Sequence, residues 1–371
     1  MKILCINYEY PPVGGGGGVA SRNLAEALVN LGHEIDIVTS GMKSLPAYEE
    51  INGVRVHRVW CIRRFKHYVT IPEMLTQILP LYYKALQLAR KIDHDLNHTH
   101  FVVPSGIASY MLWKKIGLPY IITAHGSDIP GYNADRFCYT HKFIRVLWMQ
   151  IVKNSMIITT PSHFLKRLTQ AQFDVPIEVI PYAYDFSKNS TGFKKNRILV
   201  VTRMFERKGV QYFLKAIANL NTDWEIYIAG DGPYMPRLRA LAEKIVPSTK
   251  FLGFVQGRKL SELYQSAKIF VFPSIQENFP VVLLEAMNAG CAVITTSAFG
   301  CAEVVGDAAI QTKPGNVKDL REALERLIKD EEEIRRLAEL ARKRVTKFAS
   351  PSIACEFDNL FRKYHGELWN S

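Results

Sequence analysis

Short apolar runs rich in Ile and Val alternate along this chain with amphipathic segments of helical spacing, and that alternation limits the fold more than any single motif does. In the first half, "KILCINY" reads as a strand, "VASRNLAEALVNLG" as a helix ended by Gly32, and "EIDIVTS" as a second strand. "LNHTHFV", "PYIITAHG" and "SMIITTPS" follow as strands running into loops, with helices between them. Strands joined through helices pair in parallel, and parallel sheets are covered on both faces. The second half repeats the rhythm with "RILVVTR", "GVQYFLKAIANL", "WEIYIAGDGP", "LSELYQSA", "KIFVFPS", "PVVLLEAMNAG" and "CAVITTS". The charged stretch from Lys318 to Phe348 closes it as helices.

A length of 371 residues exceeds what one core usually serves, and a prior of about 150 residues per domain predicts two domains. The polar stretch "DFSKNSTGFKKN", residues 185–196, stands where the rhythm restarts, so the expected domains are 1–185 and 186–371. The expected fold class is α/β: two doubly wound parallel-sheet domains facing a cleft. Such sheets bind ligands outside the carboxyl ends of their strands, so the polar residues just past each strand carry the chemistry.

Composition narrows the function. No apolar run approaches the roughly 18 residues that span a bilayer, because Lys84 and Arg90 interrupt "ILPLYYKALQLARK". The opening "MKILCINYEY" is too short and too soon polar for a signal peptide, and a cytoplasmic protein is expected. Cys5, Cys61, Cys138, Cys291, Cys301 and Cys355 are scattered without a CxxC pair, so neither a disulfide frame nor a zinc site is expected. The net charge of +12 divides as +5 over residues 1–185 and +7 over the rest. No helix-turn-helix, zinc-finger or RNP-like pattern points to nucleic acid. Residues 51–100 hold eight basic and three acidic residues. The basic band 55–67 leads into the apolar segment 69–88; a solvated surface is the plain reading and an anionic membrane patch the sharper one.

Five consecutive glycines, Gly14 to Gly18, lie between the first strand and the first helix. A dinucleotide site would add an acid for the ribose at the end of the second strand. That strand ends in Thr39-Ser40, and its one acid, Asp36, is mid-strand, which argues against NAD. Bare N–H groups at a helix start, here Gly15 and Gly16, still favour a phosphate or another anion. The run reads as a mobile lip, in which substitution of Gly15 or Gly16 by Val should damage turnover more than folding.

In "VTRMFERKG", Arg203 directly follows a strand and Lys208 precedes a helix. Two cations there can clamp a diphosphate and stabilise charge developing on a leaving group. In "SIQENFPVVLLEAMNAG", Asn278 suits an N-cap and Pro280 a first turn, which puts Glu277 in the loop and Glu285 about two turns along the helix. Two carboxylates at different depths suit two hydroxyl-recognition tasks, and Glu285 is flanked by Leu283, Leu284, Ala286 and Met287.

"RMFERKG", "AGDGPYMPRL", "FLGFV" and "QENFPVVLLEAMNAG", in this order and spacing, resemble the family 4 retaining glycosyltransferases (glycosyl transferases group 1). The resemblance covers nearly the whole chain, including the glycine loop and "TAHGSD". It implies the GT-B fold of two Rossmann-like domains, with the acceptor on the N-terminal side and the donor on the C-terminal side. The last helix, about 352–371, becomes a candidate to pack back on the N-terminal domain. Carried over by motif, Arg203 and Lys208 would hold the donor diphosphate and Glu285 the ribose hydroxyls. Glu277 would contact the donor sugar, helped by the Asn278 and Phe279 backbone beside Pro280 and Val281. His125 would lie beside the reacting sugar, while Asp128 caps the next segment. Gly230, Gly232, Phe254 and Val255 would wall the nucleobase pocket.

In that family the donor phosphate oxygen is thought to take the acceptor proton on the front face, so the protein positions groups and stabilises charge. No metal or other cofactor is then expected. "DHDLNHTH", residues 93–100, resembles the family's D-x-x-H-x-H strand more than a metal site. The expected activity is a hexosyltransferase-type, metal-independent, retaining transfer from a nucleotide diphosphate-sugar to a lipid, polysaccharide or small-molecule acceptor. Cell-envelope or glycolipid synthesis, peripheral on the inner membrane face, would suit it. A sugar-nucleotide epimerase and a non-catalytic nucleotide-sugar binder are the competing expectations. Two departures bear on the site: Glu277-Asn278-Phe279-Pro280 replaces Glu-Gly-Phe-Gly and loses a backbone donor, and "PYAYD", residues 181–185, replaces "PNGVD".

Overall fold

The structure, a computed structural model, describes residues 1–66, 69–132, 145–186, 193–218, 220 and 222–369, with side chains to residue 366. His67, Cys138 and linker residues 187–192 lie outside the described residues. The chain divides into two compact units, residues 1–184 with 350–371, and residues 185–349.

The first unit carries β1 (Lys2–Asn7), α1 (Gly16–Asn30), β2 (Glu34–Ser40), β3 (Tyr48–Ile51), β4 (Val54–Val59), α2 (Ile71–Ala89), β5 (Leu96–His100) and α3 (Ser105–Ile116). After them come β6 (Tyr120–Thr123), helical residues 145–153 (α4), β7 (Ile158–Thr160), α5 (His163–Gln170) and β8 (Ile177–Val179). The sheet order is β3-β4-β2-β1-β5-β6-β7-β8. Every pair is parallel except β3–β4, a hairpin turned at Asn52-Gly53, where φ is 50° and 79°. Asn-Gly is the residue pair that such a two-residue turn favours, yet the sequence reading passed over this hairpin.

Helix α1 begins at Gly16, three residues ahead of the expected start, so three of the five glycines form its first turn. The chain's last helix, Ser350–Trp369, packs in the first unit, where Ile353, Ala354, Phe357 and Phe361 join a buried cluster with Leu24, Leu28 and Ile35. Among the described residues no helix is long and apolar enough to cross a membrane. The described cysteines are all free thiols, and four of the five are buried.

The second unit carries β9 (Lys195–Val201), α6 (Val210–Ile217), β10 (Glu225–Ala229), α7 (Met235–Ile245), β11 (Lys250–Gly253), α8 (Gly257–Ser266) and β12 (Ala267–Phe272). It continues with α9 (Val281–Asn288), β13 (Ala292–Thr296), α10 (Phe299–Val305), β14 (Ile310–Thr312), α11 (Val317–Lys329) and α12 (Glu331–Val345), and the terminal Ser350–Trp369 of the first unit is α13. All neighbours are parallel in the order β11-β10-β9-β12-β13-β14. Fully buried Ile198, Val200, Ile269, Val271 and Ile294 line its core, as expected of strands covered on both faces. The charged C-terminal stretch breaks into two helices at Asp330, whose side chain accepts from Glu333 N and starts α12. Apart from the β3–β4 hairpin, both sheets are therefore doubly wound parallel α/β, as the sequence rhythm predicts.

Candidate active site

In the second unit the strand order runs outward in opposite senses from β9 and from β12, so the loops after these two strands flank the reversal point. Arg203 and Lys208 follow β9, and Ser274 and Glu277 follow β12. Gly209 brings the two loops together: its φ is 72°, and a Cβ there would stand 1.9 Å from the Pro273 carbonyl oxygen. Ile275 N then donates to the Arg207 carbonyl at 2.9 Å.

The buried Lys208 ammonium pairs with Glu277 Oε1, which also accepts from the Ser274 hydroxyl at 2.7 Å. Burial pushes the ammonium below the ordinary lysine range; Glu277 pulls it up, and Arg203 and Arg207 press it down. Arg203 itself is exposed. Of the two expected clamp cations, one is thus held by a carboxylate inside the protein and the other faces solvent.

Glu285 lies one turn into α9, half-buried, nearer the helix start than expected. Its Oε2 accepts from the Tyr264 hydroxyl on α8 at 2.7 Å. Burial pushes its carboxyl up to about 7, and the Tyr264 hydrogen bond works against that rise. Tyr264 was missed from the sequence because nothing in local spacing links it to a carboxylate 21 residues on.

The expected N-cap at Asn278 is not formed. Helix α9 starts at Val281 with Pro280 in the cap position, and Asn278 is buried instead. Its carbonyl oxygen lies where a Cβ on Gly300 would come to 1.7 Å, so this loop sits on bare backbone at the start of α10. The buried Phe279 ring meets Phe348 edge-on with centroids 5.5 Å apart. Gly230 has φ 133° and faces the Thr202 carbonyl oxygen, 1.7 Å from an added Cβ, while Gly232 faces that of Met204 at 2.6 Å. These two glycines set the path of the loop that carries Arg203. Phe254, after β11, is 53% exposed, and Val255 is half-exposed.

The first sheet reverses between β1 and β5. Here Gly14, Gly17 and Gly18 of the glycine run are closely packed, while Gly16 is exposed. Gly14 N donates to the Lys66 carbonyl at 2.7 Å and Gly15 N to Glu9 Oε2 at 2.9 Å. Gly16 opens α1, and a Cβ on Gly17 would stand 2.7 Å from Phe101 Cζ and 3.1 Å from His125 Nδ1. The anion already at this helix start is the chain's own Glu9.

Both ring nitrogens of His125 are engaged: Nδ1 with the Tyr182 hydroxyl at 2.7 Å and Nε2 with His100 Nδ1 at 3.1 Å. Burial lowers His125 to about 3 and holds His100 well below the usual range, so both rings are neutral near pH 7. Asp128 accepts from His125 N and Val102 N, both at 2.9 Å, tying the loop after β6 to the end of β5. Burial raises its carboxyl to about 6. Tyr182, in the segment that departs from "PNGVD", and His100 are partners that the sequence reading did not assign to His125.

Two further histidines of the 93–100 strand region are hydrogen-bonded through Nε2. His94 Nε2 meets Asp36 Oδ2 at 3.1 Å and His98 Nε2 meets Thr123 Oγ1 at 2.7 Å. Among the described residues no cluster of His, Cys, Asp and Glu could hold a metal.

Comparison with known proteins gives one answer at both ends of the chain. Residues 184–344 match the family described as Glycosyl transferases group 1, and residues 14–188 match Glycosyltransferase Family 4. The chain is 31% identical over 330 residues to the uncharacterized glycosyltransferase MJ1607 of Methanocaldococcus jannaschii, covering 82% of this chain and 83% of that protein. It is 27% identical over 379 residues to N-acetyl-alpha-D-glucosaminyl L-malate synthase of Bacillus anthracis, covering 95% and 94%. Among solved structures, Anabaena HepE in complex with UDP and glucose superimposes with a TM-score of 0.78 at 17% identity, over 98% of this chain and 100% of that one.

Proposed function

The chain belongs to the family 4 glycosyltransferases of the GT-B fold, and we propose that it moves a hexose from a nucleoside diphosphate sugar with retention of anomeric configuration and without a divalent metal. The observation that carries this reading is the Lys208–Glu277 pair at the reversal point of the second sheet, with Arg203 exposed in the same loop. Arg203 and Lys208 neutralise the diphosphate as the bond from sugar C1 to phosphate breaks. The departing phosphate oxygen takes the acceptor hydroxyl's proton while that hydroxyl's oxygen bonds to C1 on the same face. Glu277 orients the sugar, and Glu285 accepts hydrogen bonds from the ribose hydroxyls. Asn278, Phe279, Pro280 and Val281 shape the sugar site; Gly230, Gly232, Phe254 and Val255 border the base.

In this reading the N-terminal unit binds the acceptor, with His125 and the backbone at Gly15 and Gly16 as its contacts. The Bacillus anthracis relative and the UDP- and glucose-bound HepE favour a UDP-hexose or UDP-N-acetylhexosamine as the first donor to test. A cytoplasmic site of action is part of the reading, since buried thiols suit a reducing compartment. The test is incubation with UDP-, GDP- and ADP-sugars and hydroxyl acceptors, with and without EDTA, followed by NMR of the anomeric carbon. Retained configuration unaffected by EDTA is expected. An epimerised donor sugar with no transfer would replace this reading with the epimerase one.

A further inference from the structure

In the first unit, Trp60, Ile62 and Phe65 lie in the loop after β4, and Leu75, Leu79 and Tyr83 repeat at i, i+4 and i+8 along α2. That spacing puts the three helix residues on one stripe. The stripe faces out: Trp60 is 74% exposed, Leu75 62% and Tyr83 63%. The loop is tied to the head of the helix, with Ile62 N donating to Thr76 Oγ1 at 3.2 Å and Arg64 N to Glu73 Oε1 at 3.0 Å. These bonds set the loop of Ile62 and Phe65 beside the Leu75 end of the stripe, where isolated surface apolar residues would need no explanation but a cluster does.

The outward charge along this segment has one sign. Residues 60–91 contain six Lys and Arg and a single acid. That acid, Glu73, is buried and accepts from Thr70 N, Thr70 Oγ1 and Arg64 N, so it presents no charge outward. Arg63 also turns inward, its guanidinium donating to the Phe65 and Lys66 carbonyls at 3.2 and 3.3 Å. Exposed Arg64 and Lys66 then stand at one end of the stripe, and exposed Arg90 and Lys91 at the other.

We propose that this face docks peripherally on an anionic phospholipid bilayer. Leu75, Leu79 and Phe65 enter the acyl boundary, Trp60 and Tyr83 sit at headgroup depth, and the basic ends meet the lipid phosphates. No described helix can cross the bilayer, which keeps the contact at its surface. A second copy of this chain fits the face poorly, because a two-fold contact would set basic ends against basic ends. The proposal is independent of the sugar transferred.

The experiment is flotation of the whole chain with phosphatidylcholine vesicles, with or without phosphatidylglycerol, at low and high salt. Flotation with the phosphatidylglycerol vesicles, weakened by salt, is expected. Leu75→Glu with Leu79→Glu, and separately Arg64→Glu with Lys66→Glu, should each weaken binding about tenfold or more. All four positions are exposed, so the melting temperature should hold and certify the fold. A wild-type chain that fails to float with anionic vesicles, or a Leu75→Glu/Leu79→Glu chain that floats as well as wild type, overturns the proposal. A dimer in light scattering that the leucine substitutions dissociate, without flotation, overturns it in favour of self-association.

Discussion

Lys208 and Glu277, 69 residues apart in the sequence, meet as a buried ion pair where the second sheet reverses its winding. Both groups give up most of their water, and Ser274 adds a further hydrogen bond to the shared carboxylate oxygen. A pair held this way is a weak source of stability, because desolvation takes back most of the Coulomb gain. Its position at the ligand end of a doubly wound sheet suits a site poised for a charged donor.

Removing one partner should expose that balance. Lys208→Met leaves Glu277 buried and unpaired, an expected loss of about 3–5 kcal/mol in denaturant unfolding. Adding Glu277→Gln to it should restore most of the lost stability while transfer stays absent. Restored turnover in the double variant would remove both residues from the reaction.

Glu285 should make donor binding depend on pH. Its carboxyl is raised to about 7 in the folded chain, above the ordinary glutamate value. The folded state therefore holds a proton that the unfolded state has released, so this group's contribution to stability is lost as the pH rises through that window. In the proposed site ribose hydroxyls would donate to the ionised form, so nucleotide affinity should rise between about pH 6 and pH 8, with proton release on binding. Calorimetry in buffers of different ionisation enthalpy reads that release, and Glu285→Gln should abolish it.

The glycine run should be sensitive at one position and tolerant at another. A Cβ on Gly15 meets only Glu9 Oε2, at 3.8 Å, whereas one on Gly17 enters the Phe101 ring and crowds His125. Gly17→Ala should lower kcat by about tenfold or more, despite the usual helical preference of Ala over Gly. Gly15→Ala should change it by less than about twofold. Equal losses in both variants would return the run to the role of a flexible lip.

Asp36 should matter for folding and not for donor recognition. It is fully buried, and burial alone would raise its carboxyl. Hydrogen bonds from His57, His94 and Arg55 overcome that and hold it well below the usual range. Its stabilisation is therefore present above the unfolded aspartate value and lost as the pH falls toward the folded one. Asp36→Asn should cost about 3–5 kcal/mol in urea unfolding at neutral pH, with the donor KM of the folded fraction unchanged.

The sheet architecture was legible because parallel strands buried on both faces leave continuous Ile and Val runs, as in "EIDIVTS", which is β2 itself. Asp36 could be set aside as a ribose ligand from its mid-strand position alone, and its network with His57 and His94 gives the physical reason. The start of α1 was misplaced because glycine propensity argues against helix, while packing against Phe101 and Glu9 requires glycine there. The start of α9 was misplaced because Asn278 has cap chemistry but is drawn into the loop on Gly300. Tyr264, Tyr182 and His100 escaped notice for another reason: their partners are 21, 57 and 25 residues away, and only the tertiary fold brings them together.

The central claim, that the Lys208–Glu277 site receives a nucleotide-sugar donor, is tested most directly by thermal unfolding with UDP-, GDP- and ADP-sugars. A ligand that binds only the folded chain stabilises it, by about 2.7 kcal/mol at a hundredfold excess over Kd, and so raises its melting temperature. One nucleotide-sugar class should raise the wild-type melting temperature, and the folded Lys208→Met/Glu277→Gln chain should lose that rise. An equal rise in both chains, or none in the wild type with any donor, would contradict the account.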